Sequence, residues 1–214
     1  MKTVALERAV EMIPDGASVM VGGFMGVGTP ERLVDELARQ GKRGLTIIAN
    51  DTALPGRGIG KLVTSGVLGK AIVSHIGLNP ETQQKMIAGE IEVDLVPQGT
   101  LIERIRAGGF GLGGILTPTG VGTLAEEGKR KLELDGRQYL LEPALKADFA
   151  LVEAMLSDYY GNLVYALTAR NFNPVIAMAA HTVIVDAAHI VPVGMISPDH
   201  VVTPAVLVDY LVAH

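Results

Sequence analysis

Short apolar runs alternate along the chain with segments whose apolar residues recur at helical spacing. The runs predict buried strands at residues 18–21, 45–49, 71–76, 93–96, 149–152 and 182–185. The helical spacing predicts helices at 30–40 and 81–87, and a third that opens at Thr100. Strands that alternate with helices in this way favour an α/β fold, a mainly parallel sheet covered by helices on both faces.

Residues at the predicted helix ends support this assignment. Thr29 is the expected N-cap of the helix at 30–40, and Gly41 is its expected stop. Thr100 and Glu103 have the spacing of a capping box, in which the two side chains satisfy the first free N–H groups of a helix. We therefore expect the next helix to begin at Thr100.

One segment departs from the alternation of strands and helices. Residues 132–134 and 139–141 have strand character, and Asp135-Gly136 between them is typical of a type I′ turn. The segment predicts a β-hairpin inserted into the parallel fold. No Ser/Pro-rich linker or internal repeat divides the chain, so we expect residues 1–214 to form a single domain.

Composition and charge exclude several kinds of chemistry. The net charge is −5 and the basic residues are not concentrated, which disfavours nucleic-acid binding. The chain has no cysteine, and its 5 histidines are widely spaced, so neither a thiol nucleophile nor a metal site is expected. No apolar stretch is long enough to cross a membrane. These features predict a cytoplasmic protein with no metal, membrane or nucleic-acid partner.

Three glycine-rich segments are candidates for close approach of the backbone to a ligand. The first, at 22–28, lies between a predicted strand and a helix start, where N–H groups can cradle a phosphate or a developing oxyanion. Its spacing fits neither a Walker loop nor a GxGxxG fingerprint, so a tight turn explains it about equally well. We expect the segment at 108–114 to be a packed or flexible loop, and the segment at 56–60 to be part of a longer loop.

Polar residues at the ends of predicted strands are the next candidates. Asn50-Asp51, Ser74-His75 and Gln98 all end apolar runs, so in a parallel sheet they would meet at one rim. Simpler interpretations remain: Asn50-Asp51 as a turn, His75 as a core histidine, and Gln98 bonded to its own loop. No Ser/His/Asp order or pair of acids is visible. The residues alone predict a ligand-binding half of something larger, without a nucleophile.

The longest motif resembles that of a known family. Residues 15–30 read Asp-Gly-x-x-Val-Met-Val-Gly-Gly-Phe-x-x-x-Gly-x-Pro, which is similar to the signature of the α subunit of family I CoA-transferases. Further segments agree with this family at 45–51, 97–100, 103–106, 117–120, 146–151, 161–163 and 169–173. The resemblance covers essentially the whole chain and is strongest to the acetate/acetoacetate, or short-chain fatty acid, type.

The resemblance implies a reaction and a partner. The family moves CoA from an acyl-CoA to a free carboxylate by way of a glutamyl intermediate, and the glutamate lies in a Ser-Glu-Asn-Gly motif of the β half. This sequence has no such motif. The resemblance therefore implies a hetero-oligomer with a separate β subunit, no catalytic nucleophile in this chain, and activity only with that partner. CoA and acyl-CoA enter as substrates, and no permanently bound cofactor is expected.

The resemblance also assigns residues. The loop that matches the CoA-binding loop consists of Gly22, Gly23, Phe24, Met25, Gly26, Val27 and Gly28. Asn50 and Gln98 match the positions that face the acyl carbonyl and the carboxylate, where an amide donor would stabilise oxyanion charge without adding a titrating group. The roles of Asp51 and His75 stay open.

Two other functions remain open at this point. A non-catalytic module that senses acyl-CoA or a nucleotide would use the same glycine loop. A dinucleotide-dependent oxidoreductase would need a ribose-binding acid, for which Asp51 is the only candidate. The mean hydropathy of +0.34 is high for a free monomer and suggests an apolar face against the β subunit, although a sheet buried on both faces also raises it.

Overall fold

The computed structural model describes residues 3–213. The elements follow in the order β1 (Thr3–Val4), α1 (Leu6–Glu11), β2 (Ser18–Val21), α2 (Glu31–Gln40), β3 (Leu45–Ile48), α3 (Gly60–Thr64), β4 (Leu68–Val73), α4 (Pro80–Ile87), β5 (Glu92–Leu95), α5 (Gln98–Gly109), β6 (Gly114–Thr117), β7 (Lys131–Leu134), β8 (Arg137–Pro143), β9 (Ala147–Asp158), β10 (Leu163–Val164), α6 (Asn173–Ala179), β11 (Ala180–Val191) and β12 (Tyr210–Val212). Short 3₁₀ turns lie at Leu124–Glu126, Leu167–Arg170, Pro198–His200 and Ala205–Leu207.

A 9-stranded sheet forms the centre of the molecule, with the order β1-β12-β11-β9-β2-β3-β4-β5 and β10 added beside β9. Neighbouring strands run parallel, except that β10 pairs antiparallel with β9. The predicted α/β class and mainly parallel sheet are therefore confirmed. From β2 the chain first builds outward through β3, β4 and β5, and later returns to place β9 on the other side of β2.

Helices cover both faces of this sheet because consecutive strand residues point to opposite sides. In β2, Val19 and Val21 pack with α1, α2 and α3 in one apolar core. Met20, between them, packs with α5 and α6 in a second core on the other face. Both cores consist of buried residues of this chain. Burial of the sheet on both faces therefore explains much of the high mean hydropathy.

The predicted start of helix α2 is wrong. Helix α2 begins at Glu31 with Pro30 at the N-cap, because Pro30 has a non-helical ψ of 80°. Thr29 makes no capping bond, and its hydroxyl lies where a Cβ on Gly23 would be. The predicted stop at Gly41 is confirmed by its left-handed φ of 64°.

The predicted capping box at Thr100 and Glu103 does not form. Helix α5 begins at Gln98, because Pro97 takes an extended ψ of 134° at the N-cap and the helix follows at once. The Thr100 hydroxyl is buried and has no partner within residues 3–213. Glu103 instead pairs with Arg106 at 3.0 Å.

Strands β9 and β11 are much longer than their apolar runs predict. Each has 12 residues, and they pair in parallel along almost their whole length, from Ala147↔Ala180 to Asp158↔Val191. The predicted strands end where polar residues begin. These polar residues nevertheless continue the backbone ladder, because each strand pairs with the other. The pair consequently extends past the carboxyl end of β2.

The predicted hairpin is confirmed and is part of a second sheet. Strands β7 and β8 pair antiparallel, and the turn residues Asp135 and Gly136 have φ values of 51° and 73°, as a type I′ turn requires. Strand β6, which the sequence did not predict, completes a 3-stranded sheet of order β6-β8-β7. Within the part of the chain described, every helix is too short or too polar to span a bilayer.

Candidate active site

A crevice opens where the sheet order reverses, at the carboxyl ends of β2 and its neighbours. Open α/β sheets bind ligands at such a switch point because the loops on either side diverge there. The glycine loop at 22–28 leaves β2, Asn50 follows β3, Ser74 follows β4, and Gln98 begins the helix after β5. The parallel sheet therefore brings the sequence-predicted residues to one rim.

These residues line a cleft of ≈ 350 Å³, formed by Phe24, Met25, Asn50, Asp51, Ser74, His75, Leu78 and Gln98. Phe24, Met25 and Leu78 give it an apolar wall, and each exposes about two fifths of its surface. A slightly larger cleft of ≈ 400 Å³ lies near Asp158 and Val193 and contains none of the predicted site residues. The chemistry-bearing side chains are thus gathered in the first cleft.

A chain of side-chain hydrogen bonds runs along the cleft. Gln98 Nε2 donates to Asn50 Oδ1 at 2.5 Å, and Asn50 Nδ2 donates to Asp51 Oδ2 at 2.6 Å. Gln98 is exposed, whereas Asn50 is only 1% exposed. Gln98 therefore presents its amide to the open cleft, and Asn50 lies beneath it.

The main chain of β3 continues past its last strand residue. The backbone oxygen of Asn50 accepts the N–H of Ser74 at 2.9 Å and the Ser74 hydroxyl at 2.7 Å. Asp51 forms a parallel bridge with His75, and its Oδ1 accepts the N–H of Ala53 at 2.7 Å. Asn50 and Asp51 thus both lie at the end of the strand ladder, and the Asp51 side chain opens the turn that follows.

His75 is exposed at the rim of the cleft, so its interpretation as a core histidine is wrong. The physical reason is that β4 ends at Val73, three residues before the end of the strand predicted at 71–76. A Cβ on Gly77 would lie 2.7 Å from His75 Cε1, so the backbone of Gly77 passes directly beside the imidazole.

The glycine loop folds back on itself at its tip. Phe24 and Val27 exchange backbone hydrogen bonds at 3.0 and 2.9 Å. Three glycines of the loop have no room for a Cβ. The space is occupied by Asn173 at Gly22, by Thr29 at Gly23 and by Ala169 at Gly28. Gly26 is different: its φ is +85° and nothing lies within 4 Å of an added Cβ.

Two asparagines of the segment 169–173, one of the segments that agree with the family, hold this loop. Asn171 Oδ1 accepts the N–H of Gly23 at 3.2 Å, and Asn171 Nδ2 donates to the oxygen of Val27 at 3.1 Å. Asn173 Nδ2 donates to the oxygen of Gly28 at 2.8 Å. An amide side chain can satisfy both backbone donors and backbone acceptors. The two asparagines, two residues apart, were the feature of the sequence that could have indicated this role.

Backbone donors of the loop tip remain available. The N–H groups of Gly26 and Gly28 have no acceptor within residues 3–213. The start of α2 is less available, because Glu31 in its first turn accepts the N–H of Gly58 at 3.1 Å and the Lys61 ammonium at 2.6 Å. The loop amides, rather than the helix dipole, are therefore the groups that this rim offers to an anion.

A half-buried ionisable group, Glu153, is connected to the loop through Asn173. Burial, and secondly the repulsion of Asp186, raise the pKa of the Glu153 carboxyl. Its Oε2 is buried with no partner in the described part of the chain. The backbone N–H of Glu153 donates to Asn173 Oδ1 at 3.0 Å, which connects this residue to the loop. Over residues 3–213, no group of three or more His, Asp or Glu side chains is arranged to hold a metal ion.

Packing explains several glycines of the other two glycine-rich segments. A Cβ on Gly109 would lie 2.7 Å from Met178 Cβ, and one on Gly114 would lie 2.5 Å from the oxygen of Glu142. Gly60 packs directly against the oxygen of Leu54. These three glycines allow close contacts inside the fold, whereas Gly111 and Gly113 have open space beside them.

Comparison with known proteins agrees with this geometry. The family model described as coenzyme A transferase matches residues 3–214. The acetate CoA-transferase subunit alpha of Escherichia coli (strain K12) is 56% identical over 99% of this chain and 96% of its own length. The acetoacetyl-CoA:acetate/butyrate CoA transferase alpha subunit of Clostridium acetobutylicum is 48% identical over 99% of this chain and 97% of its own length.

A solved structure supports the same relationship. The acyl-CoA transferase from Escherichia coli O157:H7, in a thioester complex with CoA, superposes with a TM-score of 0.89 at 26% identity. The alignment covers 100% of this chain and 47% of that chain, so this chain spans about half of that protein. The resemblance drawn from the motifs is confirmed: the chain belongs to the coenzyme A transferase family.

Proposed function

We propose that this chain is the α subunit of a CoA-transferase of the acetate/acetoacetate type, which moves CoA from an acyl-CoA to a short-chain carboxylic or 3-oxo acid. The observation that carries the proposal is the meeting of the loop 22–28 with the Gln98–Asn50 pair in one cleft. Relatives of 56% and 48% identity are named as alpha subunits of such enzymes. We place the enzyme in the cytoplasm, with one domain over residues 1–214 and CoA as a substrate.

The loop is the proposed contact for CoA. Its tip offers the unpaired N–H groups of Gly26 and Gly28, and the space beside Gly26 is open. Phe24, Met25 and Val27 expose apolar surface on the same loop. Such a loop can bind a long ligand with both polar and apolar parts, because backbone donors meet the former and the side chains meet the latter.

The Gln98 amide is the proposed contact for the acyl oxygen. One Nε2 proton is bound by Asn50, and the second is free to donate into the cleft. When a carboxylate attacks the thioester carbonyl, its oxygen gains negative charge before the C–S bond breaks and the CoA thiolate leaves. A fixed neutral donor stabilises that charge at any working pH.

The attacking carboxylate is proposed to be a glutamate of a separate β subunit. It forms a mixed anhydride with the acyl group, and the returning CoA thiolate then displaces the donor acid to give a glutamyl thioester. The acceptor acid repeats both steps in reverse and leaves as the new acyl-CoA. In each step this chain has the same task, which is to hold CoA and to face the carbonyl oxygen with Gln98.

The surface beside the loop is proposed to contact the β subunit. Leu167 is 90% exposed and has a left-handed φ of 45°, which is costly for a leucine. It lies four residues before Asn171, which bonds to the loop at Gly23 and Val27. An apolar side chain held outward beside an incomplete active site is expected to be buried by the subunit that completes it.

Transfer by the reconstituted enzyme tests the proposal. We would co-express the chain with a candidate β subunit that contains the Ser-Glu-Asn-Gly motif, purify the complex, and follow exchange between acetyl-CoA and a panel of acids from acetate to acetoacetate. The expected result is transfer to short-chain and 3-oxo acids. Tight acyl-CoA binding without transfer to any acid would support the alternative of a non-catalytic acyl-CoA-binding module.

A further inference from the structure

We infer that Asp51 is a positioning residue, which fixes both the tip of the glycine loop and the direction of the Gln98–Asn50 hydrogen bond. The inference rests on the proposed function, because it gives a role to a residue of the same cleft. Asp51 accepts three hydrogen bonds, and two of them go to the elements that would hold CoA and face the acyl oxygen.

The three bonds divide between the two carboxylate oxygens. Oδ2 accepts the N–H of Met25 at 2.9 Å and Asn50 Nδ2 at 2.6 Å, and Oδ1 accepts the N–H of Ala53 at 2.7 Å. Asp51 is 6% exposed, and no Lys, Arg or His among residues 3–213 forms an ion pair with it. The buried carboxylate is therefore offset by N–H donors, each of which is aligned toward it.

The carboxylate determines the direction of the whole hydrogen-bond chain. An ionised carboxylate only accepts, so Asn50 must turn its NH₂ group toward Asp51 and its oxygen toward Gln98. Gln98 must then turn its own NH₂ group toward Asn50. The reverse arrangement would require a donor at position 51. Asp51 thus sets which groups of the Gln98 amide face the cleft.

The same carboxylate holds the loop tip above the cleft. Met25 has a φ of 49°, a left-handed conformation that is unfavourable for a non-glycine residue. Its N–H is held by Asp51, which fastens this strained residue to the end of β3. One side chain therefore links the position of the loop to the orientation of Gln98.

Asp51→Asn is the sharpest test because it preserves the shape and removes one acceptor. An asparagine has one oxygen and one NH₂ group, so it cannot accept from Ala53 on one side and from Met25 and Asn50 on the other. In the αβ complex we expect kcat to decrease by roughly tenfold, which is less than the roughly 10²-fold cost of removing an oxyanion donor altogether. The matched control is Asp35→Asn, an exposed residue of α2 paired with Lys61, which should leave kcat unchanged.

A double-mutant cycle with Gln98→Ala separates positioning from a general loss of structure. If Asp51 acts through Gln98, then Asp51→Asn should reduce kcat by less than about threefold once Gln98 is already alanine, since interacting residues are non-additive. An equal reduction in both backgrounds, or no reduction in either, would overturn this part of the inference. Thermal unfolding of each variant accompanies the kinetics.

Hydrogen exchange gives a second measurement that does not depend on activity. In the αβ complex, Asp51→Ala should increase the exchange rate of the peptide that contains Met25, because its N–H loses its acceptor. Asp35→Asn should not change it. Unchanged exchange at Met25 would contradict the inference. A wild-type complex that transfers no CoA would instead contradict the proposed function, so the two failures are distinguishable.

Discussion

Asn173 and Gly22 are so close that no side chain fits between them. A Cβ on Gly22 would overlap Asn173 Oδ1, the atom that accepts the N–H of Glu153 at 3.0 Å. The other end of the same amide donates to the oxygen of Gly28 at 2.8 Å. Asn173 therefore joins β9 to both ends of the loop. Gly22 is required by the fold, whereas the space beside Gly26 is open and is proposed to receive the ligand.

This contrast predicts different outcomes for two glycine substitutions. Gly22→Ala should lower the free energy of unfolding by about 1–3 kcal/mol, because the added methyl group overpacks the contact with Asn173. Gly26→Val should weaken acyl-CoA binding, since its side chain would enter the open space, and should also carry the cost of a left-handed valine. Urea unfolding and titration calorimetry of the reconstituted complex measure the two effects.

Gly89→Val is the matched control for Gly26→Val. Gly89 has a φ of +72° and open space around it. It precedes β5 and therefore lies at the amino ends of the strands, opposite the rim that carries the site. Both valine variants should lose similar stability, about 1–3 kcal/mol, and only Gly26→Val should lose affinity. Retained affinity in Gly26→Val would mean that the loop is only a turn.

Removal of the exposed amide tests the proposed acyl contact. Gln98→Ala should reduce kcat of the complex by roughly 10²-fold, the range for loss of one oxyanion donor. The KM for acyl-CoA should change much less, because most of the binding surface belongs to CoA. Gln138→Ala, at an exposed position of the hairpin where the side chain donates to Glu133, serves as the control. Unchanged turnover in Gln98→Ala would return Gln98 to a purely local role.

Glu153 predicts how stability depends on pH. Burial and the nearby Asp186 raise the pKa of Glu153 in the folded chain, so its protonated form fits the fold better than its charged form. Its favourable contribution is complete below its ordinary pKa of 4.5 and is lost as pH rises through the higher folded-state pKa. Glu153→Gln should therefore be more stable than wild type at neutral pH.

Urea unfolding across a pH series measures this effect. Above pH 4.5 the free energy of unfolding of Glu153→Gln should decrease less with pH than that of wild type. Glu90→Gln, an exposed substitution with the same change of charge, should follow the wild-type curve. Parallel curves for wild type and Glu153→Gln would show that the buried carboxyl carries no such penalty.

Leu167→Asp tests the proposed contact with the β subunit. Because Leu167 is 90% exposed in the free chain, the substitution should leave the stability of that chain nearly unchanged. It should weaken assembly with the β subunit by about tenfold or more, as expected for an apolar anchor replaced by a charge. Ile87→Asp, at a position 82% exposed on α4, is the control. If both variants assemble with the β subunit equally well, Leu167 is not part of the interface.

Much of the fold follows from local pattern. The strands at 18–21 and 45–48 were predicted almost to the residue, because their apolar runs are short and bounded by glycine or polar residues. The ends of β9 and β11 were missed, since their polar residues are held in the ladder by the pairing of the two strands and, at Ser157, also by β10. Helix α5 was placed two residues late, because the signal at Thr100 resembled a cap while Pro97 already starts the helix.

The candidate site was predictable in part. Asn50, Ser74 and Gln98 were brought to one rim by the rule that parallel strands end on the same edge. The attachment of the loop was not predictable, because Asn171 and Asn173 lie 148 and 145 residues from their backbone partners Gly23 and Gly28. The bond from Met25 to Asp51 is likewise a contact that only the folded chain creates.

Intact mass spectrometry of the working enzyme tests the central claim, that this chain forms half of an active site and has no nucleophile. The αβ complex would be incubated with acetoacetyl-CoA, quenched, and each chain weighed, with the isolated α chain treated in parallel. We expect CoA to be attached covalently to the β chain alone, the α chain to remain unmodified, and the isolated α chain to show no turnover. A covalent CoA or acyl adduct on any glutamate of this chain, or transfer by the chain alone, would contradict the account.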